Sequence, residues 1–145
     1  MIKNFAFFAS IALFILTTAF PAVCAGMNKP AIANPASANC IKKGGALSIQ
    51  KRGDGGEYSI CIFEENRQCE EWAMFRGECP LGGVKVAGYA TPAARICVIT
   101  GGTYTATGNN NMDNEQGNCT FKNGSVCNAW DYYDGKCIVT DKTSK

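Results

Sequence analysis

Asn34-Pro35-Ala36-Ser37-Ala38-Asn39-Cys40-Ile41-Lys42-Lys43-Gly44-Gly45 returns 57 residues later as Thr91-Pro92-Ala93-Ala94-Arg95-Ile96-Cys97-Val98-Ile99-Thr100-Gly101-Gly102. Pro, Ala, Cys and the paired glycines hold their places. The other cysteines keep the same rhythm: 40, 61, 69 and 79 are spaced by 21, 8 and 10, and 97, 119, 127 and 137 by 22, 8 and 10. Beyond the middle of the unit the offset becomes 58, where Glu57, Phe63, Trp72 and Gly77 match Glu115, Phe121, Trp130 and Gly135. Four cysteines and a tryptophan in common register mean a tandem duplication. The single inserted residue must lie between Gly45 and Glu57. It is expected at a hairpin tip, where Gly53-Asp54-Gly55-Gly56 faces Asn109-Asn110-Asn111-Met112 in the second copy.

Each copy reads the same way. Asn34-Pro35 and Thr91-Pro92 supply an N-cap and a first helical residue, and the paired glycines end the helix near Lys43. A strand follows at Ala46 to Lys51, with Leu47 and Ile49 inward and Tyr104 and Ala106 in their places. The next strand runs from Glu57 to Phe63. One face carries Tyr58, Ile60 and Ile62, which become Gln116, Asn118 and Thr120 in the second copy. The other keeps Cys61 and Phe63 as Cys119 and Phe121, so that face is the core and the first is solvent-facing or an interface. Cys69, Trp72 and Phe75 or Arg76 recur at helical spacing and predict a helix ended by Gly77.

The predicted fold class is therefore α+β: two tandem small disulfide-rich domains, each helix–β-hairpin–helix. The predicted divisions are a signal peptide at 1–25, a tail at 26–33, four-cysteine repeats at 34–80 and 91–138, a glycine-bearing flexible linker at 81–90, and a tail at 139–145. Units of this size bury little apolar surface, and disulfides make up the deficit. Four cysteines allow three pairings. The expected one joins first to fourth and second to third: Cys40–Cys79 with Cys61–Cys69, and Cys97–Cys137 with Cys119–Cys127.

The N-terminus carries Lys3, an uncharged run from Phe5 to Phe20, and Pro21-Ala22-Val23-Cys24-Ala25. This is the pattern of a secretory signal cleaved after Ala25, on a run shorter than a membrane span requires. Cleavage removes Cys24 and leaves eight cysteines, an even count suited to an oxidising compartment. Lipidation at Cys24 is the lesser reading, since Val23 and Pro21 fit a lipoprotein signal poorly. The expected location is exported, periplasmic or secreted.

The chain contains no histidine, which removes Ser-His-Asp and Cys-His nucleophilic sites and histidine-bearing zinc sites. No C-x2-C pair is present, so neither a zinc ribbon nor a thioredoxin-like motif is expected. A net charge of +2 without long charge runs gives no footprint for nucleic acid. No catalytic residue, cofactor or metal is expected. Trp72 and Trp130 read as bulk for a tiny core rather than ligand platforms. Glu70 and Glu71 read as a solvated helix start rather than an acid/base pair. Glu64-Glu65-Asn66-Arg67-Gln68 and Lys122-Asn123-Gly124-Ser125-Val126 occupy the same place in the two copies and share nothing. A constant scaffold with divergent tips is how binding modules carry specificity. The first of these, Glu64 to Gln68, is the candidate binding loop.

Asn34-Pro35-Ala36-Ser37, Cys40, Lys43-Gly44-Gly45, then Gly55-Gly56-Glu57-Tyr58, Cys61, Phe63, then Cys69-Glu70-Glu71-Trp72-Ala73, Phe75-Arg76-Gly77-Glu78-Cys79, resemble a family of small secreted bacterial domains that carries a hemolysin label and is also called domain of unknown function 333. The second copy resembles it through its cysteines, Trp130, its glycines and Thr91-Pro92. The resemblance implies a bacterial envelope or secreted protein and no established activity. The functional expectation is a non-enzymatic, disulfide-stapled binding module whose partner is a protein or an envelope component. No nucleic acid and no membrane span after cleavage are expected. Inhibition of a protease or glycan hydrolase, presented through Arg67, is the alternative. Membrane activity is a second alternative, although no amphipathic basic helix suited to it stands in the mature chain.

Overall fold

The computed structural model describes residues 34–108 and 113–140. The expected signal peptide, Cys24, the tail at 26–33, the tract 109–112 and the residues after 140 lie outside the described residues.

The first helix, α1 (Pro35–Lys42), starts where Asn34 accepts a hydrogen bond from the Ala36 amide at 3.0 Å. It ends before Gly44, whose φ of 82° is one that L side chains rarely adopt. Strands β1 (Ala46–Lys51) and β2 (Glu57–Ile62) form an antiparallel hairpin with Leu47 opposite Cys61. A tight turn then leads into β3 (Arg67–Glu70), which pairs Cys69 directly with Cys61. Only then comes α2 (Glu71–Phe75), capped by both Glu70 carboxylate oxygens on the Trp72 and Ala73 amides.

Two expectations change here. The predicted hairpin is a three-stranded unit, and Cys69 belongs to its third strand rather than to a helix. The Cys69–Trp72 spacing imitates a helical period, but cross-strand pairing decides the backbone as far as Glu70.

The second repeat follows suit with α3 (Pro92–Ile99), β5 (Thr103–Gly108), β6 (Gln116–Thr120), β7 (Val126–Asn128) and α4 (Ala129–Tyr133). Between the repeats, β4 (Val84–Lys85) adds a fourth strand to the first sheet. The expected flexible linker is thus partly sheet. Gly83 lies flat on β3: a Cβ there would stand 2.7 Å from the Gln68 nitrogen.

The inserted residue of the second copy is also located. Ile49 and Gln50 pair with Ser59 and Tyr58, whereas Ala106 and Gly108 pair with Gly117 and Gln116. Thr107 is the extra residue, taken up as a β-bulge within β5 rather than at the hairpin tip.

The bridges are Cys40–Cys61, Cys69–Cys79, Cys97–Cys119 and Cys127–Cys137. The expected first-to-fourth and second-to-third pairing is overturned. Cys61 and Cys69 face each other across two strands that are already hydrogen-bonded. Their sulfurs turn instead to α1 and to the segment after α2, so each bridge ties a separate piece to the sheet. Glycine makes room for this. A Cβ on Gly45 would stand 2.3 Å from the Cys61 sulfur, and one on Gly102 would stand 2.5 Å from that of Cys119. On the chain-entropy model each bridge contributes roughly 3 kcal/mol. With Ala73 and Met74 the four half-cystines form the buried core of repeat 1, and Phe63 and Val84 pack against it.

Leu47 and Ile49, expected inward, do face the Cys61 side but are 39 % and 68 % exposed. The helices are too short to cover the whole strand: α1 has 8 residues and α2 has 5. At 1.5 Å rise per helical residue against roughly 3.3 Å in a strand, the hairpin outruns its cover. Glu71, expected in solvent, is buried, and its carboxylate receives the Asn34 amide at 2.8 Å and the Ser37 hydroxyl. It joins the two helices of repeat 1. In repeat 2 the same positions are Thr91, Ala94 and Ala129, all buried without such a bridge.

The outer face of the first sheet is an interface. Ile60 and Val86 pack with Val98 and Ile99 of α3, flanked by Tyr58, Ile62, Val84, Tyr89 and Tyr104. This explains why the copies diverge where they do. Ile60 must meet a partner, and its counterpart Asn118 meets water. Val98 and Ile99 must be covered, while their counterparts Ile41 and Lys42 on α1 are exposed. The pair is a two-unit stack with unlike faces joined, and the free faces at its ends are exposed to water.

At the far end of the seam the β1–β2 tip docks on the end of α4. Arg52 Nη2 donates to the Tyr132 carbonyl at 2.8 Å, the Gly53 amide to Tyr133 O at 3.3 Å, and the Tyr133 hydroxyl to Lys51 O at 3.3 Å.

Register-equivalent substitutions should therefore behave oppositely. Ile99→Ala is expected to lower unfolding free energy by about 2–5 kcal/mol, and Lys42→Ala by less than about 0.5 kcal/mol. Urea denaturation of both variants checks this. The Tyr104 hydroxyl donates to Glu115 at 2.8 Å. Desolvation by burial, then this hydrogen bond and the carboxylate charge, push its pKa up to about 12. Its folded pKa exceeds the unfolded one, so its contribution is complete below pH about 10 and is lost as pH rises toward 12. Spectrophotometric titration should find a tyrosine component ionising toward pH 12, and Tyr104→Phe should remove that component and flatten the alkaline loss of stability.

Candidate functional site

Stacking two repeats on unlike faces leaves a cleft along the seam, with a volume of about 340 Å³. That is at the small end of the range for ligand pockets. Repeat 1 contributes Arg52, Tyr58, Glu70, Trp72, Arg76 and Glu78. Repeat 2 contributes Ile96, Thr100, Gly101, Phe121, Lys122, Asn123 and Tyr132, and the tail that follows it contributes Val139. Neither repeat makes this cleft alone.

Each wall residue is held by its element. Trp72 sits in the first turn of α2, positioned by the Glu70 cap, and its ring meets Phe75 edge-on at 5.7 Å. The residue is 39 % exposed. Trp72 therefore does not fill the core as expected. Its counterpart Trp130 is more covered, and its indole N–H donates to Glu115 O at 3.0 Å. Among the described residues the Trp72 indole N–H has no protein acceptor. Tyr132 takes the Arg52 guanidinium over its ring at 5.2 Å and meets Phe121 at 5.0 Å. Arg52 Nε is buried without a hydrogen-bond partner.

The floor brings the two backbones close together. Gly101, at φ 89°, is so near Glu78 that a Cβ would stand 2.7 Å from its carbonyl oxygen. Lys122 Nζ donates to that same carbonyl at 3.3 Å. The equivalent Gly44 meets nothing within 4 Å, so close approach is a demand of the second copy alone.

Charge on the walls is unevenly paired. Arg76 and Glu78 form a two-point ion pair at 2.9 and 2.8 Å. The second copy keeps a pair at the same places with signs exchanged, Asp134 with Lys136 at 2.9 Å. Burial raises the Glu70 pKa, and the Trp72 and Ala73 amides that it caps pull it back. Burial also raises that of Tyr58, with the neighbouring Tyr133 adding to it.

The candidate loop is elsewhere. Glu64–Asn66 form an exposed single turn in which Glu65 and Asn66 take φ of 55° and 54°. Gly124 takes that conformation in the second copy. Arg67 and Gln68 stand on β3, not at the tip. Arg67 Nε donates to Gly82 O and Gly83 O at 3.1 and 3.0 Å, which fastens the linker to the sheet. None of Glu64 to Gln68 lines the cleft. The cleft was not legible as a site because its walls come from separate stretches of both repeats, although Glu70, Trp72 and the Lys122-Asn123 loop each stand out in the sequence. The one usable signal was the apolar Tyr58-Ile60-Ile62 face in the first copy alone, which announces an asymmetric seam.

Among the described residues no helix is long and apolar enough to cross a membrane. Four disulfides mark a protein of an oxidising, exported environment.

No curated protein and no solved structure matches the chain. A family model described as "Domain of unknown function (DUF333)" matches it twice, over residues 31–78 and 88–136. The two matches are the two repeats, and the chain belongs to the DUF333 family as a tandem pair.

Proposed function

We propose that this protein is a non-enzymatic, exported binding module whose ligand site is the cleft between its repeats. One observation carries the reading: the cleft has walls from both copies and presents an exposed tryptophan beside cationic side chains. A tryptophan left 39 % exposed on a cleft that arginines also line fits recognition better than core packing, because each can contact a bound ring or acid without rearrangement. Four bridges and the interlocked seam fix the walls before a ligand arrives, which lowers the ordering cost of binding. The pairing of the cleft carboxylates further supports a non-enzymatic role. Glu70 is engaged in capping α2 and Glu78 in the ion pair with Arg76.

Inhibition of a protease or glycan hydrolase is the second reading. It draws on the exposed Glu65-Asn66 tip, whose left-handed backbone is preorganised. Arg67 would have no part in it as a presented side chain, since its Nε is engaged by the linker carbonyls.

Amide chemical shifts separate these readings. With a panel of small acids, sugars and amino acids at about 10 mM, shifts are expected at Trp72, Gly101 and Phe121, with Glu64–Asn66 unmoved. Shifts confined to Glu64–Asn66, or chemical turnover of any panel member, would refute the cleft reading.

A further inference from the structure

We infer that the cleft takes a small organic anion, a carboxylate carried on a flat or apolar ring; this rests on the cleft being the binding site. Five charged side chains line it, Arg52, Glu70, Arg76, Glu78 and Lys122, and their partners decide the sign. Both Glu70 oxygens accept helix amides, and both Glu78 oxygens accept from Arg76. The two carboxylates and one cation are thereby engaged with protein. Arg52 and Lys122 donate only to backbone carbonyls, those of Tyr132 and Glu78. Among the described residues neither meets a carboxylate.

These two cations come from different repeats and border one small cavity, so its field favours a negative group. An acid bound there gains charge-assisted hydrogen bonds that the carbonyls do not replace. The ring requirement comes from Trp72. It lines the cleft and is 39 % exposed, so it offers stacking area to a ring. A cationic ligand meets the opposite conditions, since no wall carboxylate is left unengaged. The volume of about 340 Å³ holds one ring with short substituents, not an extended polymer.

The test compares three probes that share a phenyl ring and differ in charge: benzoate, benzamide and benzylamine. Titration is followed by amide shifts of the oxidised full-length mature protein. Benzoate is expected to bind at about 1 mM, as suits so small a ligand, and to weaken as salt rises. Benzamide and benzylamine are expected to bind at least about tenfold more weakly. Lys122→Gln, at an exposed turn and joined to repeat 1 by one hydrogen bond, should weaken benzoate about tenfold while its dichroism spectrum stays that of the parent protein. Arg52→Gln should do the same, but Arg52 also docks the hairpin tip, so Lys122→Gln decides. Equal binding of all three probes at the cleft would overturn the anion assignment and leave the cleft as a site. No cleft shift with any probe at about 10 mM would overturn both.

Discussion

The apolar contact between α3 and the outer face of the first sheet is the constraint on which the rest depends. Ile60 and Val86 on one side, and Val98 and Ile99 on the other, are all nearly inaccessible to water. Each repeat is too small to bury a core of ordinary size, and much of its interior is cystine sulfur. The seam supplies the aliphatic burial that a single unit lacks. It also sets the sequence of both copies. A stack of unlike faces needs one apolar sheet face and one apolar helix face, and it leaves their counterparts facing water. Tyr58, Ile60 and Ile62 against Gln116, Asn118 and Thr120 meet that need on the sheets, and Ile99 against Lys42 on the helices. Divergence between the copies is the consequence of their being stacked.

Much of the scaffold could be read from the residues. The Asn-Pro and Thr-Pro starts and the paired glycines placed α1 and α3 within a residue. The alternation of Cys61 and Phe63 named the core face of β2, and comparison of the copies marked the other face as a solvent face or an interface. The third strand was missed because Cys69 and Trp72 stand three apart, a spacing that a strand running into a helix produces as readily as a helix. Disulfide partners were missed for a related reason. Sequence spacing measures loop length, whereas the pairing depends on which sulfur lies above which strand. Gly45 and Gly102 held the better clue, since each sits where a side chain would collide with the first bridge.

The site was less legible than the scaffold. Its walls are assembled by docking, and no local pattern records docking. Trp72 and Trp130 look equivalent in register. Docking makes Trp72 a cleft wall, while Trp130 donates to Glu115 within its own repeat. The candidate loop at Glu64–Gln68 drew attention because it varies, but Arg67 there works inward, binding the linker that becomes β4. The exchanged ion pairs, Arg76 with Glu78 and Asp134 with Lys136, show the same principle: position is kept and sign follows surroundings.

If the seam is what completes the fold, the two repeats cannot unfold separately. Each repeat holds one of the chain's two tryptophans, so each can be watched by itself. Urea unfolding of oxidised Trp130→Phe reports on repeat 1 through Trp72, and of Trp72→Phe on repeat 2 through Trp130. After correction for each variant's overall stability by circular dichroism, the fluorescence midpoint should coincide with the dichroism midpoint in both, as one cooperative unit requires. A tryptophan transition displaced from the dichroism transition, or two resolved steps, would contradict the account.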